Sequence, residues 1–559
     1  MQQYPDLELA RRARPRPIAD IAEEIGLRPE DLDLYGKHKA KVSLELLDRL
    51  KDRGDGKLIL VTAINPTPAG EGKTTTTVGL GQAFGLLKKR AIVAIRQPSL
   101  GPLLGVKGGA TGGGCSQVIP VEDINVHFTG DIHAVGAANN LLAAAIDNHI
   151  HHGNQLSIHP ERITWRRVVD TNDRALRRLL VSPSGKLKGA NSYETGFEIT
   201  AASEVMAILC LSLGYDELRE RLGSIVIGYD SGMRPVLARD LKVSAAMAAL
   251  LKNALKPNLV QTYENTPAFV HGGPFANIAH GCSSLVATKM GLKLADWVIT
   301  EAGFGADLGG EKFFDIKCRL GNLNPNAVVI VATVRALKLH GGASMKELRR
   351  KNLPAVEKGL KNLEKHVQNL KSFGLPILVV INRFEEDTEE EIETIKELCR
   401  CEGAPITVSD AWAICGEGGL QAAKQLIELT EGSSSELKFL YDLGLTIREK
   451  MEKIATNIYG ADGLDCSDEA EQDLARIEEN GFGDLPLCMA KTPFSLSDDP
   501  KLLGRPEGFR VRVRGLKVSA GAGFIVAYLG NVLTMPGLPA RPAAENVDID
   551  ERGTIHGLF

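Results

Sequence analysis

One stretch constrains the fold of this chain more than any other. An apolar run at 58–64 leads into a Gly- and Pro-containing loop at 65–72, and residues 78–87 then favour a helix. A loop between a buried strand and a helix presents backbone N–H groups at the positive end of the helix dipole, which is where phosphate groups bind. The stretch therefore predicts a phosphate-binding loop for a nucleoside triphosphate. The alternative is an ordinary strand–turn–helix.

Two residues at the end of this loop suit a triphosphate that carries Mg²⁺. Lys73 can reach the β- and γ-phosphates, and the Thr74 hydroxyl can ligate Mg²⁺. The loop departs from the common Gly-x-x-x-x-Gly-Lys-Thr pattern at its first position, Thr67, which the following proline biases to an extended conformation. The predicted ATP-binding residues are this loop and one residue after a later strand: Thr67, Pro68, Ala69, Gly70, Glu71, Gly72, Lys73, Thr74 and Asn382.

Composition limits the class of protein. The chain has 559 residues, enough for two to four domains, and is 43% hydrophobic and 24% charged. A formal net charge of −4 argues against a general nucleic-acid or membrane binder. No apolar run is long enough to predict a transmembrane helix, and the arginine-containing first twenty residues do not resemble a secretory signal.

The cysteines favour a reducing compartment. There are nine, an odd number, and no Cys-x-x-Cys pair occurs, so we expect no zinc site. We predict reduced thiols and a cytoplasmic location.

The order of the patterns predicts an α/β fold. Short β-branched runs at 91–95, 297–300, 328–334 and 376–381 alternate with helical stretches, which indicates a mainly parallel sheet wrapped by helices. We predict a P-loop nucleotide-binding mixed sheet flanked by helices, with two smaller α/β domains. The expected boundaries are 1–360 for the nucleotide- and formate-binding part, 361–460 for a second domain and 461–559 for a C-terminal domain.

Ligands of such sheets bind at the carboxyl ends of the strands, and several polar segments fall at those ends. Arg96 follows the second strand and has a planar guanidinium that suits a carboxylate or an acyl phosphate. Glu301 and Asp307 follow another strand and are candidates for Mg²⁺ or its waters, with helix capping as the alternative for Asp307. A glycine-rich run at 107–114 predicts close backbone approach to a ligand or a mobile cover.

Two other polar segments leave site and structural roles open. They are the stretch with Asp131, His133, Asn139 and Asn140, and the turn-rich stretch from His271 to Gly281, which also contains His280.

Two aromatic residues lie in separate polar loops. Phe384 follows the strand at 377–381, and Trp412 lies before the glycine-rich stretch 416–419. We interpret the pair as a clamp for a planar ring, with packing at the rim of a site as the alternative for each ring alone.

With these residues considered together, the sequence resembles the formate–tetrahydrofolate ligase family over nearly its whole length. The resemblance is carried by long motifs, which are residues 66–74, 122–125, 128–134, 171–177, 264–281, 300–309, 459–463, 534–539 and 557–559.

The resemblance implies three α/β domains with substrate sites in the clefts between them, and a homotetramer. It implies that formate attacks the γ-phosphate of MgATP to give formyl phosphate, which N10 of tetrahydrofolate then attacks. Lys73 and Arg96 would be the catalytic residues. Phe304, Phe384 and Trp412 would bind folate, with Phe384 and Trp412 enclosing the pterin.

Three positions depart from the family pattern. Gln97 stands where a Glu is usual, which puts in doubt a site for an activating monovalent cation such as K⁺ or NH₄⁺. Cys115 replaces a Tyr, and Cys415 replaces a Gly near Trp412, so the Trp412 loop is expected to be displaced.

The predicted partners are small molecules: formate, ATP and tetrahydrofolate. Neither a nucleic acid nor a membrane is expected. Two other classes remain open, namely another ATP-dependent ligase of the dethiobiotin-synthetase type and a nucleotide-driven switch or metal-insertion ATPase.

Overall fold

A computed structural model describes residues 6–68, 70–105, 111–183, 192–431, 436–530 and 532–558. The strands are β1 (Leu32–Leu34), β2 (Ala40–Val42), β3 (Lys57–Ala63), β4 (Ala91–Ile95), β5 (Gly112–Gly113), β6 (Ser116–Ile119), β7 (Ile158–Ile163), β8 (Arg167–Val169), β9 (Leu179–Val181), β10 (Tyr193–Thr195), β11 (Phe197–Ile199), β12 (Val226–Asp230), β13 (Pro235–Leu237), β14 (Asn258–Thr262), β15 (Pro267–Val270), β16 (Trp297–Glu301), β17 (Ala327–Ala332), β18 (Ile377–Asn382), β19 (Ile406–Ser409), β20 (Leu464–Cys466), β21 (Leu487–Ala490), β22 (Val511–Ser519), β23 (Phe524–Leu529), β24 (Asp548–Ile549) and β25 (Ile555–His556).

The α-helices are α1 (Asp6–Arg11), α2 (Ile18–Glu24), α3 (Glu45–Arg49), α4 (Lys73–Leu86), α5 (Leu100–Gly105), α6 (Val121–Asn125), α7 (Asp131–His151), α8 (Glu204–Leu211), α9 (Tyr215–Gly223), α10 (Ser244–Leu250), α11 (Leu285–Leu294), α12 (Arg319–Gly321), α13 (Val334–His340), α14 (Leu353–Ser372), α15 (Glu389–Cys401), α16 (Ala411–Ile414), α17 (Leu420–Glu431), α18 (Ile447–Lys453) and α19 (Asp468–Glu479).

A mixed sheet dominates the described part of the chain. It has twelve strands in the order β1-β2-β14-β15-β4-β16-β3-β17-β18-β19, with β6 paired to β14 and β5 to β6. Pairing is parallel from β15 through β19 and antiparallel towards β1. The α/β class and the mixed sheet are therefore confirmed.

The central strands are buried on both faces. In β3, Leu58 and Leu60 belong to one apolar cluster, while Ile59 and Val61 belong to another on the opposite face. The second cluster also contains residues of α4 and α17. Because both faces are covered by helices, these strands read as unbroken apolar runs in the sequence.

The C-terminal segment forms a second, smaller sheet. Its four strands lie in the order β20-β22-β23-β21, with α18 and α19 beside them. The strands β18 and β19, by contrast, pair within the large sheet. The domain boundaries given above stay a prediction.

Local sequence explains the helix starts near the site. The acidic run before α15 begins a helix at Glu389, where Thr388 and Glu391 form a capping box. None of the helices in the described ranges is long and apolar enough to cross a membrane.

Candidate functional site

Six neighbouring parallel strands end at one edge of the large sheet, in the order β4-β16-β3-β17-β18-β19. The residues that the sequence singled out follow these strand ends, as expected for ligand sites of parallel sheets. From one side to the other they are Arg96, Glu301, the loop at 64–72, Asn382 with Phe384, and Trp412.

The loop after β3 depends on two glycines with positive φ. Gly70 has φ +80° and Gly72 has φ +72°, which other residues rarely adopt. A Cβ on Gly72 would lie 2.3 Å from the side-chain nitrogen of Asn382. Asn382 donates from Nδ2 to the carbonyl of Glu71 at 3.2 Å, so this predicted ATP-binding residue holds the loop itself.

The side chain of Glu71 points inward and closes the loop. It accepts a hydrogen bond from the Thr67 N–H at 2.7 Å and another from the Thr333 hydroxyl. Thr333 is the N-cap of α13, so the carboxylate joins the loop to the next strand–helix unit. Pro68 is exposed, and the predicted ATP-binding Ala69 lies outside the described residues.

Lys73 begins α4 and lies among charges. Burial lowers the pKa of Lys73, the carboxylates of Glu301 and Glu71 act to raise it, and the Arg96 guanidinium lowers it further. The net pKa is below the ordinary lysine value. A phosphate group placed here would stabilise the charged amine, since an opposite charge favours the ionised form.

Thr74 and Glu301 supply hard oxygen atoms beside Lys73. The Thr74 hydroxyl donates to Glu301 Oε2 at 2.8 Å. Hydroxyl and carboxylate oxygens are ligands that Mg²⁺ accepts, and Mg²⁺ bound with a nucleotide needs few of them from the protein. The pair therefore fits Mg²⁺ carried by ATP. In the described part of the chain, no group of three or more His, Cys, Asp or Glu side chains could hold a metal without such a ligand.

Arg96 keeps much of its hydrogen-bonding capacity free. Its Nη1 donates to the Pro274 carbonyl at 3.3 Å, and its buried Nε has no partner among the described residues. Gly303 lies against the guanidinium, because a Cβ there would be 3.1 Å from Nη1. The neighbouring Gln97 is buried, and its Oε1 also lacks a partner within the described ranges. Both groups can therefore accept a small polar ligand.

The aromatic residues differ in their surroundings. Phe384 is half-buried, which corrects the expectation of an exposed ring, because the Arg335 guanidinium carbon lies 3.9 Å from its ring centroid. Phe304 is half-buried and has a left-handed backbone with φ +60°. Trp412 is 37% exposed and can stack on a flat ligand.

The Trp412 loop is fastened to the strand pair β5–β6. Cys115 and Cys415 form a disulfide with a Cα–Cα distance of 5.1 Å, so the expectation of reduced thiols is wrong for this pair. The Cys115 N–H also donates to the Trp412 carbonyl at 3.2 Å. The two departures from the family pattern thus contact each other. Residues 106–110 of the glycine-rich run lie outside the described residues.

Several predicted site candidates have structural roles instead. Asp307 is buried and pairs with Lys491 at 2.7 Å, so it neither faces a Mg²⁺ site nor caps a helix. Asp131 pairs with Lys41 at 2.7 Å. His271 bonds Ser284 and the Ala254 carbonyl, both at 2.6 Å.

The remaining candidates also divide between structural and open roles. Asn139 and Asn140 donate to backbone carbonyls of the segment at 166–168, and His133 is exposed. His280 is buried near Arg96 and has no partner for either ring nitrogen in the described structure.

Sequence reasoning missed Arg335, on the first turn of α13. It donates from Nη2 to the Gly70 carbonyl at 2.7 Å and also lies over Phe384. Its position three residues beyond the end of β17 is the one signal that placed it at the same edge as the other residues.

These observations define an α/β protein whose phosphate-type loop, arginine pocket and aromatic residues lie along one edge of a parallel sheet. The sequence model of the family described as formate--tetrahydrofolate ligase matches residues 4–559, and the chain belongs to this family. It is therefore a carbon–nitrogen ligase that joins formate to tetrahydrofolate with ATP as the second substrate. The two other classes, a dethiobiotin-synthetase-type ligase and a switch or metal-insertion ATPase, are not favoured.

Proposed function

We propose that the ligation proceeds through formyl phosphate at the edge formed by β4, β16 and β3. A formate oxygen attacks the γ-phosphorus of ATP, and ADP leaves. N10 of tetrahydrofolate then attacks the formyl carbon, phosphate leaves, and N10 loses its proton to give 10-formyltetrahydrofolate. The observation that carries this proposal is the convergence of Lys73, Arg96 and Glu301 on neighbouring strand ends.

Each side chain has a distinct part in this scheme. Lys73 and the N–H groups of the loop stabilise the negative charge that develops on the transferring phosphoryl group. Arg96 holds formate and then formyl phosphate with its free donors. Thr74 and Glu301 hold Mg²⁺, which neutralises phosphate charge when it is bound with ATP.

The folate side of the site rests on the aromatic residues. We propose that the pterin stacks between Phe384 and Trp412, with Phe304 beside it. Phe384 and Trp412 follow β18 and β19, which are adjacent parallel strands, so their backbones are held at one edge. Stacked rings contribute roughly 0.5–1.5 kcal/mol beyond the area that they bury.

The oxygen atoms of formate test the proposed intermediate. With ¹⁸O-labelled formate, the scheme transfers one labelled oxygen to the released phosphate in each turnover. Mass spectrometry of the phosphate measures this transfer. Phosphate without the label would contradict the route through formyl phosphate while leaving the overall ligation intact.

A monovalent cation site near Gln97 is a separate proposal. The buried, unpartnered Oε1 of Gln97 offers one neutral oxygen ligand. Gln97→Glu should strengthen activation by K⁺ or NH₄⁺, because hard cations prefer charged oxygen atoms. Activity is compared in K⁺ and in a bulky inert cation. Equal responses of the two proteins would remove position 97 from a cation site.

A homotetramer and a cytoplasmic location also remain proposals that rest on the family resemblance. The Cys115–Cys415 disulfide argues against the reduced state of all thiols that usually accompanies that location.

A further inference from the structure

Arg335 connects two loops that the proposed function assigns to different substrates. It lies on the first turn of α13, and β17 stands between β3 and β18 in the sheet. On one side its Nη2 donates to the Gly70 carbonyl of the phosphate loop at 2.7 Å. On the other side its guanidinium carbon is 3.9 Å from the centroid of the Phe384 ring. One side chain therefore touches both loops at once.

The two contacts need a planar cation. A distance of 3.9 Å to the centroid places the guanidinium over the face of the ring rather than at its edge. An arginine can stack in this way and still donate a hydrogen bond within its own plane, whereas a lysine ammonium has no plane to stack. The buried Nε of Arg335 has no partner among the described residues, so little water competes with these contacts.

The stacking decides which side of Phe384 remains for a ligand. The guanidinium covers one face of the ring, and a pterin can use only the other. The carbonyl to which Arg335 is bonded belongs to Gly70, whose positive φ fixes the turn of the phosphate loop. The orientation of the ring is thus tied to the conformation of the loop that receives ATP.

We propose that Arg335 is a positioning residue that holds Phe384 against the phosphate loop in the orientation that binds tetrahydrofolate. This inference rests on the proposed function, in which Phe384 stacks on the pterin. It adds that folate affinity depends on a residue that does not touch folate. It also adds that nucleotide at the loop and folate at the ring influence each other through Arg335, and such coupling is reciprocal for binding.

The test uses Arg335→Lys, Phe384→Leu and the double variant, with Arg350→Lys as a control at an exposed arginine. Arg335→Lys keeps the charge and a donor for Gly70 but loses the stacking. It should raise the tetrahydrofolate KM roughly threefold to tenfold, as expected for loss of a cation–π contact. The kcat and the ATP KM should change by less than about twofold. Arg350→Lys should match the wild type.

The double variant separates positioning from other roles. In the Phe384→Leu background, Arg335→Lys should add nothing to the tetrahydrofolate KM, because no ring remains to be held. Full additivity, or a rise confined to the ATP KM, would overturn the assignment of Arg335. If Phe384→Leu itself leaves the tetrahydrofolate KM unchanged, the proposed folate stack is wrong and the role of Arg335 falls with it.

A binding measurement gives the same test without turnover. Tryptophan fluorescence titration with tetrahydrofolate, with and without ADP, should show weaker binding and a smaller effect of ADP in Arg335→Lys than in the wild type. An unchanged ADP effect would contradict the coupling. Arg335→Met serves as a second variant if the lysine variant unfolds, and its melting temperature is compared with that of Arg350→Lys.

Discussion

Lys73 illustrates how the charges of this site balance at the scale of single residues. Burial and Arg96 lower the pKa of Lys73, and two carboxylates raise it. The amine therefore lies where an added phosphate changes its electrostatic surroundings most. Its value to the reaction is expected to appear when charge builds up in the transition state rather than in folding.

Lys73→Ala should accordingly abolish most turnover and leave the fold intact. Loss of one such electrostatic contact costs on the order of 3 kcal/mol, or roughly a hundredfold in rate. Turnover and the melting temperature are measured beside Lys89→Ala, a control at an exposed lysine after the same helix. Turnover like that of the wild type would remove the phosphate-loop assignment.

Arg96 should matter to formate rather than to ATP. Its unpartnered Nε and the nearby Gly303 describe a small polar pocket on a different strand end from Lys73. Losing a charge-assisted contact costs about 1.5–3 kcal/mol, so Arg96→Ser should raise the formate KM roughly tenfold to a hundredfold.

The comparison for Arg96 is Arg90→Ser, an exposed arginine just before the same strand that pairs with Asp296. ATP affinity is measured in parallel for both variants. Equal losses for formate and ATP in Arg96→Ser would assign Arg96 to the nucleotide or to the structure.

At the scale of elements, the Trp412 loop is the part most altered from the family pattern. The disulfide joins Cys415 to Cys115 across 300 residues of sequence, and Cys115 also bonds the Trp412 backbone. The bridge restrains the loop on which Trp412 is presented, so breaking it should increase the freedom of that loop.

Reduction of the disulfide, or Cys415→Ser, should therefore raise the tetrahydrofolate KM several-fold with little effect on ATP. The Cys415→Ser variant should no longer respond to dithiothreitol. Cys401→Ser, a control at an exposed free cysteine, should respond as the wild type does. If the wild-type KM is the same before and after reduction, the bridge does not control the loop.

Most of the elements at the site were predictable from sequence. Central strands buried on both faces give unbroken apolar runs, and the acidic start of α15 marks its N-terminus. The residues Lys73, Arg96 and Glu301 were found because each directly follows or ends such a strand.

Long-range contacts were not predictable in the same way. Asp307 has the right local position for Mg²⁺, but its partner Lys491 comes from a distant segment. Arg335 acts across two strands, and neither contact leaves a local pattern. Cysteine spacing alone does not determine which cysteines pair, so the disulfide was also missed.

At the scale of the whole molecule, Glu204 joins α8 to the small C-terminal sheet. Its Oε1 accepts hydrogen bonds from the N–H groups of Gly521 at 2.8 Å and Ala522 at 3.3 Å. Burial raises the pKa of Glu204 to about 7, against the lowering effect of Lys517 and with a smaller raising effect of Glu198. The folded protein therefore holds a proton that the unfolded chain releases at lower pH.

This difference predicts that stability falls as pH rises. The protonated carboxyl contributes fully below about pH 4.5, and its contribution is lost as pH rises towards about 7. The free-energy change is at most about 3 kcal/mol. Urea unfolding between about pH 5 and pH 8 should show this slope, and Glu204→Gln should flatten it. Glu220→Gln, at an exposed glutamate, is the control; equal slopes in both variants would contradict the account.

The central claim is ATP-dependent ligation of formate to tetrahydrofolate at the edge that contains Lys73 and Arg96. The direct measurement mixes the protein with formate, MgATP and tetrahydrofolate, stops the reaction with acid, and records the absorbance of 5,10-methenyltetrahydrofolate formed from the product. The account predicts absorbance that requires all three substrates and is nearly absent in Lys73→Ala. No absorbance with the wild-type protein, or equal absorbance with Lys73→Ala, would contradict it.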